Sequence, residues 1–303
     1  MMSLRKESKV HPATTPRAMM MGEPTHDDSD EKAYEKIVGR MMVNNQERIW
    51  ALKIKNAVER DPSLENLSDF EYVHHAIVAK DNIHKALVRI KDMQLFKERF
   101  GIIGDGNPTQ GWMMIDALMG AQPDFILSVG EDREGRSIQV CDYSAFRPKL
   151  LATNAMQNFV GFYYTFHALQ CDFASIREGV VWIANCKGMG LKNAFGGIWQ
   201  RGSEFRRAPY PMRMKKIAML DPPRLVHSMY YAMKPFLSKK VKDVIVMKTQ
   251  QEFLLDDVIY GNTIPVHALP RSMQGTCSEK EMIQRLKDGV KERYLHSQTF
   301  RLT

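Results

Sequence analysis

The sequence predicts an α/β domain with a largely parallel sheet, and three observations carry that reading. Short apolar runs with strand composition alternate with segments of helical spacing. The run "GVVWIA" (179–184) shows no polar alternation, as a strand covered on both faces should. Between two of the runs, Asn154 to Gln170 sets Phe159, Phe162, Tyr163, Phe166 and Leu169 on one aromatic-rich helical face.

Residues 1–30 are rich in Met, Pro, Ser, Thr and Asp without periodicity and read as a flexible tail. From Glu31 to Arg60 the spacing of Tyr34, Ile37, Val38, Met41, Met42, Ile49 and Leu52 predicts an amphipathic helix, which Asp61-Pro62 stops. Helices follow from Ser68 to about Val78 and from Ile83 to Phe100, and "GIIGDGNPTQG" (101–111) reads as a loop marking a boundary. Beyond it, 125–130, 135–143, 179–187 and 214–223 read as strands, while "VKDVIVM" (241–247) fits either helix or strand. A final helix over Ser278 to Tyr294 opens with Ser278 and Glu281 three apart, a capping-box pattern.

Composition is that of a folded protein, 44% hydrophobic and 26% charged. No apolar run reaches the roughly 18 residues a membrane span needs, and the first thirty residues hold no signal-peptide core, so a cytosolic chain is expected. Cys141, Cys171, Cys186 and Cys277 are scattered and read as reduced, mostly buried thiols; His74-His75 is a lone doublet, and neither a metal nor a cofactor is implied. "GIIGDG" (101–106) follows a helix rather than a strand, and "GMGLKNAFGG" (188–197) has Asn193 where a dinucleotide fingerprint needs its third glycine. With no Walker motif, nucleophile elbow or H-E-x-x-H, nothing points to an enzyme.

The net charge of +8 is concentrated: Arg201 to Lys248 holds twelve Lys/Arg against three Asp/Glu. Such a region suits an anionic partner, although a solvated basic surface is the plainer reading of most charge runs. Inside it lies "PPRLVHSMYYAMKPFLSKK" (222–240), whose helix carries Leu225, Val226, Met229, Tyr230 and Met233 around most of its circumference, with Arg224 and Lys234 at its ends and Lys239, Lys240 and Lys242 close behind. On periodicity alone this is a core helix with a basic end; it would equally suit a lid with one face on a cavity and the other on lipid.

The stretch 210–247, "YPMRMKKIAMLDPPRLVHSMYYAMKPFLSKKVKDVIVM", resembles the most characteristic segment of the CRAL-TRIO lipid-binding family. "DREGRSIQVCDYSAFRP" (132–148) is similar to that family's first sheet hairpin, and "REGVVWIANCKGMGLKNA" (177–194) to its central strand and turn. "IPVHALPRSMQGT" (264–276) is similar to its closing motif, and 77–102 to the end of its N-terminal helical unit. The order of these pieces, more than any one of them, makes the resemblance specific. It implies the CRAL-TRIO fold: a mostly parallel sheet with covering helices and an apolar pocket, preceded by a small all-α unit. The expected divisions are a tail (1–30), a helical unit (31–104), the lipid-binding domain (112–276), and a C-terminal helix and tail (277–303).

By the resemblance, a hydrophobic ligand would be lined by Phe159, Phe162, Tyr163 and Phe166, by Ile138, Val140 and Trp182 from strands, and by Leu225, Met229, Tyr230, Met233 and Phe236 from a mobile gate. Met212 and Val244 stand where phosphatidylinositol-transferring members keep an acid and a lysine, which argues against that mode of headgroup binding. Arg213, Lys215 and Lys240 match three positions of the phosphoinositide-binding patch of the tocopherol and retinaldehyde branch, implying docking on an anionic membrane surface. The implied protein is a monomeric carrier that exchanges a lipid at membranes without bond chemistry. A non-transferring membrane scaffold is the alternative, and a nucleic-acid binder finds no motif beyond basicity.

Overall fold

The computed structural model describes residues 38–102, 104, 106–122, 125–147, 155–190 and 210–302. The predicted tail over 1–30 and the glycine cluster beyond Gly190 lie outside them. Gly39–Thr303 forms one compact unit and Met1–Val38 another, of which Val38 is the described residue.

Among the described residues the helix expected over Glu31 to Arg60 is broken: 38–40 are helical, 41–44 are not, and a new helix starts at 45. Helix α1 (Asn45–Glu59) starts at Asn44, whose side chain accepts the Glu47 N–H at 2.8 Å while the Glu47 carboxylate takes the Asn44 N–H at 3.2 Å. This reciprocal cap satisfies backbone donors that a continuing helix would have used, so the expected helix from Glu31 to Arg60 is interrupted just before it. Helices α2 (Asp69–Ala79) and α3 (Ile83–Phe100) stand where the sequence places them, α2 capped by Ser68 and α3 by Asn82. The expected loop at 101–111 is shorter than predicted. Asn107 caps the N–H groups of Thr109 and Gln110, Pro108 takes the first helical position, and α4 (Pro108–Ala121) runs on from there.

Among the described residues the sheet has five strands in sequence order: β1 (Ile126–Glu131), β2 (Ser137–Asp142), β3 (Val180–Asn185), β4 (Met214–Leu220) and β5 (Ile245–Lys248). Only the β1–β2 hairpin is antiparallel; the β2–β3, β3–β4 and β4–β5 pairings are parallel. The parallel connections carry α5 (Ala155–Leu169) and α6 (Phe173–Glu178) between β2 and β3, then α7 (Arg224–Met233) and α8 (Lys239–Val244) between β4 and β5. The ambiguous "VKDVIVM" is therefore both: the end of α8 and most of β5. A short α9 (Gln250–Phe253) passes into a π-helical turn (Leu254–Tyr260), and α10 (Glu279–Thr299) opens with the predicted Ser278–Glu281 capping box.

Strand alternation divides the sheet into two faces. One carries Ile138, Val140, Val181, Ile183, Ala218 and Leu220 against Phe253, Val258, Leu269 and Met273 of the segment after β5. Lys216 and Lys248 tie that segment down by ion pairs to Asp257, Lys248 at 3.0 Å. The other face receives α5: the Ser137 hydroxyl donates to the Leu169 carbonyl at 2.6 Å, and Cys141 and Trp182 pack with its aromatic stripe. Helix α10 rounds the β1 edge, with Met282 in the first core and Leu286 and Val290 in the second. It crosses α5 at Gly289, where a Cβ would lie 2.7 Å from the Ala168 carbonyl oxygen. A third core joins α1, α2 and α3 to Phe173 and Ile176 of α6 and to Phe300 and Leu302.

Candidate functional site

The predicted pocket residues separate into three groups. Ile138 and Val140 are fully buried on the sheet face away from α5, so they belong to the core with Phe253 and Met273 and cannot line a chamber under α5. Phe159 and Tyr163 pack on α3: Phe159 meets Phe100 edge-on at 5.9 Å, and Tyr163 lies 5.9 Å from Phe96 and 5.7 Å from Tyr210. Both hold α3 against α5. Phe162 and Phe166, one turn apart, keep to the sheet side with Trp182, and Phe166 faces Tyr210 at 5.9 Å. Met212 and Met214, which lead into β4, pack on Phe166 and Val180. A soft apolar surface of Phe162, Phe166, Trp182, Met212 and Met214 therefore lies between α5 and the sheet, and methionine suits it to more than one shape of guest.

Helix α7 follows β4 and carries Leu225, Met229, Tyr230 and Met233 of the expected gate, with Phe236 just beyond it. None of its ten residues is buried. Leu225 and Met229 are each 44% exposed, Met233 55% and Phe236 89%. Tyr230 and Tyr231, edge-on to each other, lie beside the Lys234 ammonium, which is 6.0 and 5.3 Å from their ring centres. The sequence reading of a helix apolar almost all round implies burial on both sides, whereas the structure leaves it open to solvent. An exposed apolar patch of this kind marks an interaction surface.

The basic residues gather at one end of the sheet. Gly179, at φ +79°, leads into β3 directly beside Arg213 and Lys215: a Cβ there would strike the Arg213 carbonyl oxygen and stand 3.1 Å from the Lys215 Cγ. Arg213 donates to the Arg177 carbonyl at 3.0 Å, which fixes its guanidinium at the end of α6. Lys215 is exposed and only loosely paired, 3.9 Å from the Glu178 carboxylate. Parallel pairing of β4 with β5 brings α8 to the same end, so Lys239 and Lys240, both exposed, join Arg213 and Lys215 there. Ser238 caps α8 through the Val241 N–H. Lys216 and Lys248, by contrast, are neutralised by Asp256 and Asp257 on the other face.

Sequence reasoning missed a buried polar network centred on Arg293 of α10. Its guanidinium, without solvent exposure, donates to Glu71 at 2.7 Å, to His74 Nδ1 at 2.8 Å and to the Gln170 carbonyl. A guanidinium only donates, so His74 Nδ1 accepts, and its Nε2–H donates to the Pro211 carbonyl at 2.7 Å. Burial and the neighbouring Arg293 both keep His74 neutral. Burial opposes ionisation of Glu71, but the Arg293 charge outweighs it and holds the carboxyl well below its usual range. His75 is pushed down to about 3 by burial, and His167 well below its ordinary value by burial and Arg293. The His74-His75 doublet is thus structural, tying α2 to α10 and to the entry of β4. Its only hint in the sequence is an arginine at an inward position of an amphipathic helix.

Cys171, Asp172 and Glu292 bring potential ligand atoms within 4.8 Å of one another. Asp172 is already committed, one oxygen to the Ser175 N–H at 2.7 Å and the other to Arg40 Nε at 2.6 Å, and burial pushes the Cys171 thiol well up. The group reads as a buried ion pair with Arg40, which also reaches Glu131. A groove of about 250 Å³ lies elsewhere, between Met41, Met42 and Val43 and the segment Phe300–Leu302. Among the described residues no helix is long and apolar enough to cross a membrane.

Comparison with known proteins adds to this geometry. Residues 123–268 match the CRAL/TRIO domain family. Among solved structures, the crystal structure of Sfh5 is similar at a TM-score of 0.41 and 12% identity, over 89% of this chain and 99% of that one. Comparison with curated proteins finds no match.

Proposed function

We propose that the protein is a lipid carrier working at anionic membranes, a reading that starts from the match of residues 123–268 to the CRAL/TRIO domain family, which binds and transfers lipids and other small hydrophobic ligands. One hydrophobic molecule is held between α5 and the sheet face bearing Trp182, against Phe162, Phe166, Met212 and Met214. Helix α7 is the gate. Docking uses Arg213, Lys215 and Lys240, with Lys239 beside them, and phosphoinositide headgroups are the chemistry these residues suit.

The observation that carries this reading is an apolar helix left open to water beside a basic cluster. Immersing Met233 and Phe236 in a bilayer would each recover roughly 1.5–3 kcal/mol, and each lysine or arginine at an anionic surface adds about 1 kcal/mol. Both gains exist only at the membrane, so a membrane selects the arrangement in which α7 is clear of the sheet. No bond is made or broken.

A non-transferring scaffold is the second reading, favoured by the use of Phe159 and Tyr163 as core rather than as pocket walls. Transfer of a fluorescent lipid between vesicle populations, with and without phosphatidylinositol bisphosphate, tests the two. The carrier predicts transfer that quickens with the phosphoinositide, slows with salt and fails in Phe236→Ser. Binding to those vesicles with no transfer and no extractable lipid selects the scaffold. Indifference to anionic vesicles sinks both.

A further inference from the structure

On the sheet face that receives α5, Gln139 of β2 and Trp182 of β3 stand directly opposite each other across the parallel ladder. Gln139 is almost completely buried and its amide oxygen accepts no hydrogen bond; the indole N–H of Trp182 is buried and finds only the sulfur of Cys141. The Cys141 thiol, two residues beyond Gln139 on the same face, is kept un-ionised by burial, and sulfur is too weak an acceptor to satisfy the indole. Each unpartnered polar group of this kind costs about as much as a lost hydrogen bond, and here an acceptor and a donor are left over side by side. Around them Cys141, Val180, Ala184 and Ile217 carry no charge.

We infer that Gln139 and Trp182 form the polar end of the cargo site and that the cargo is a neutral lipid with a free hydroxyl. The indole N–H donates to the hydroxyl oxygen, and the hydroxyl donates to the Gln139 amide oxygen, satisfying both protein groups with one ligand atom. An ether or ester offers no proton to the amide oxygen. A carboxylate or phosphate would be buried there as an anion, and none of these described neighbours of Gln139 and Trp182 is a cation. The apolar remainder of the molecule lies along Phe162 and Phe166. This inference rests on the carrier reading and specifies its ligand.

The test is a competition. Delipidated protein is incubated with a total lipid extract supplemented with equimolar cholesterol, retinol and 1-octadecanol and with the methyl ethers of the same three; it is then repurified, and the retained lipids are identified by mass spectrometry. The wild-type chain should hold the alcohol of its favoured skeleton about ten-fold or more over the matching ether, the value of one buried hydrogen bond. In Gln139→Leu, and independently in Trp182→Phe, that ratio should fall toward one while some lipid is still retained. Equal retention of alcohol and ether by the wild type, as expected if the two atoms merely hold an ordered water, overturns the hydroxyl assignment and leaves the carrier standing. Failure of the wild type to retain anything from the extract overturns the carrier reading itself.

Discussion

Replacing Arg293 by methionine should be among the most destabilising single changes available in α10, and its cost follows from what the guanidinium touches. Methionine fills the aliphatic part of the site but returns none of the three hydrogen bonds, to Glu71 at 2.7 Å, to His74 at 2.8 Å and to the Gln170 carbonyl. The stacking of the guanidinium 4.9 Å from the centre of Phe70 goes as well. What remains is a buried Glu71 carboxylate without its cation, and breaking a buried pair from one side costs roughly 3–5 kcal/mol. A stability of about 5–15 kcal/mol is usual for a folded domain, so the loss is a large share of the total. Urea unfolding followed in parallel by tryptophan fluorescence and circular dichroism would measure it, coincident transitions being required before a free energy is assigned. Glu71→Gln added to Arg293→Met should recover about half of the loss, because the neutral amide no longer needs a counter-charge. A single variant within about 1 kcal/mol of wild type, or a double variant no more stable than the single, would refute this account.

The buried imidazoles set the pH dependence of stability. His75 is neutral when folded, with its pKa lowered to about 3, and takes a proton near 6.5 when unfolded. Stability is therefore unaffected above about pH 6.5 and falls below it, by roughly 2.5 kcal/mol between pH 7 and 4.5 from this residue alone; His74 and His167 act in the same direction, and Glu71 adds its own loss only below the ordinary glutamate range. A melting temperature that rises on acidification from pH 7 to 5 would contradict the assignment. Gly179→Ala should cost about 2–3 kcal/mol in thermal unfolding, since φ is positive and the new methyl meets the Arg213 carbonyl. It should also weaken vesicle binding by displacing Arg213 and Lys215. Lys240→Gln should reduce affinity for vesicles containing phosphatidylinositol bisphosphate about five-fold at low salt and much less at high salt, in a sedimentation assay.

Much of this architecture is legible in the chain, because its strands and helices carry local signatures. "GVVWIA" announces a strand buried on both faces, and Ser278 with Glu281 announces the start of α10. Where reading failed, a competing local interaction had won, as at Asn44 and at Asn107-Pro108, whose caps start helices that apolar spacing alone does not locate. The site was less legible for a different reason. Alternation says that Ile138 and Gln139 face opposite ways but not which faces α5, and an aromatic stripe does not reveal that Phe159 and Tyr163 serve α3 while Phe162 and Phe166 serve the sheet. Gln139 and Trp182 become informative only as a pair, and their pairing depends on strand register between residues 43 apart. Arg293 is invisible for the same reason: its partner Glu71 is 222 residues away in the chain.

That separation has a consequence for biosynthesis. At roughly 5–20 residues per second, a ribosome takes about 10–45 s to travel from Glu71 to Arg293. Throughout that interval α2 has been made but the cation that neutralises its inward carboxylate has not, so the helical unit cannot adopt its final packing as it emerges. The edge of β1 also waits for α10 to cover it. Folding of this chain is therefore completed from its C-terminal side, and a nascent chain stalled before residue 293 would present an unfinished core to the chaperones around it.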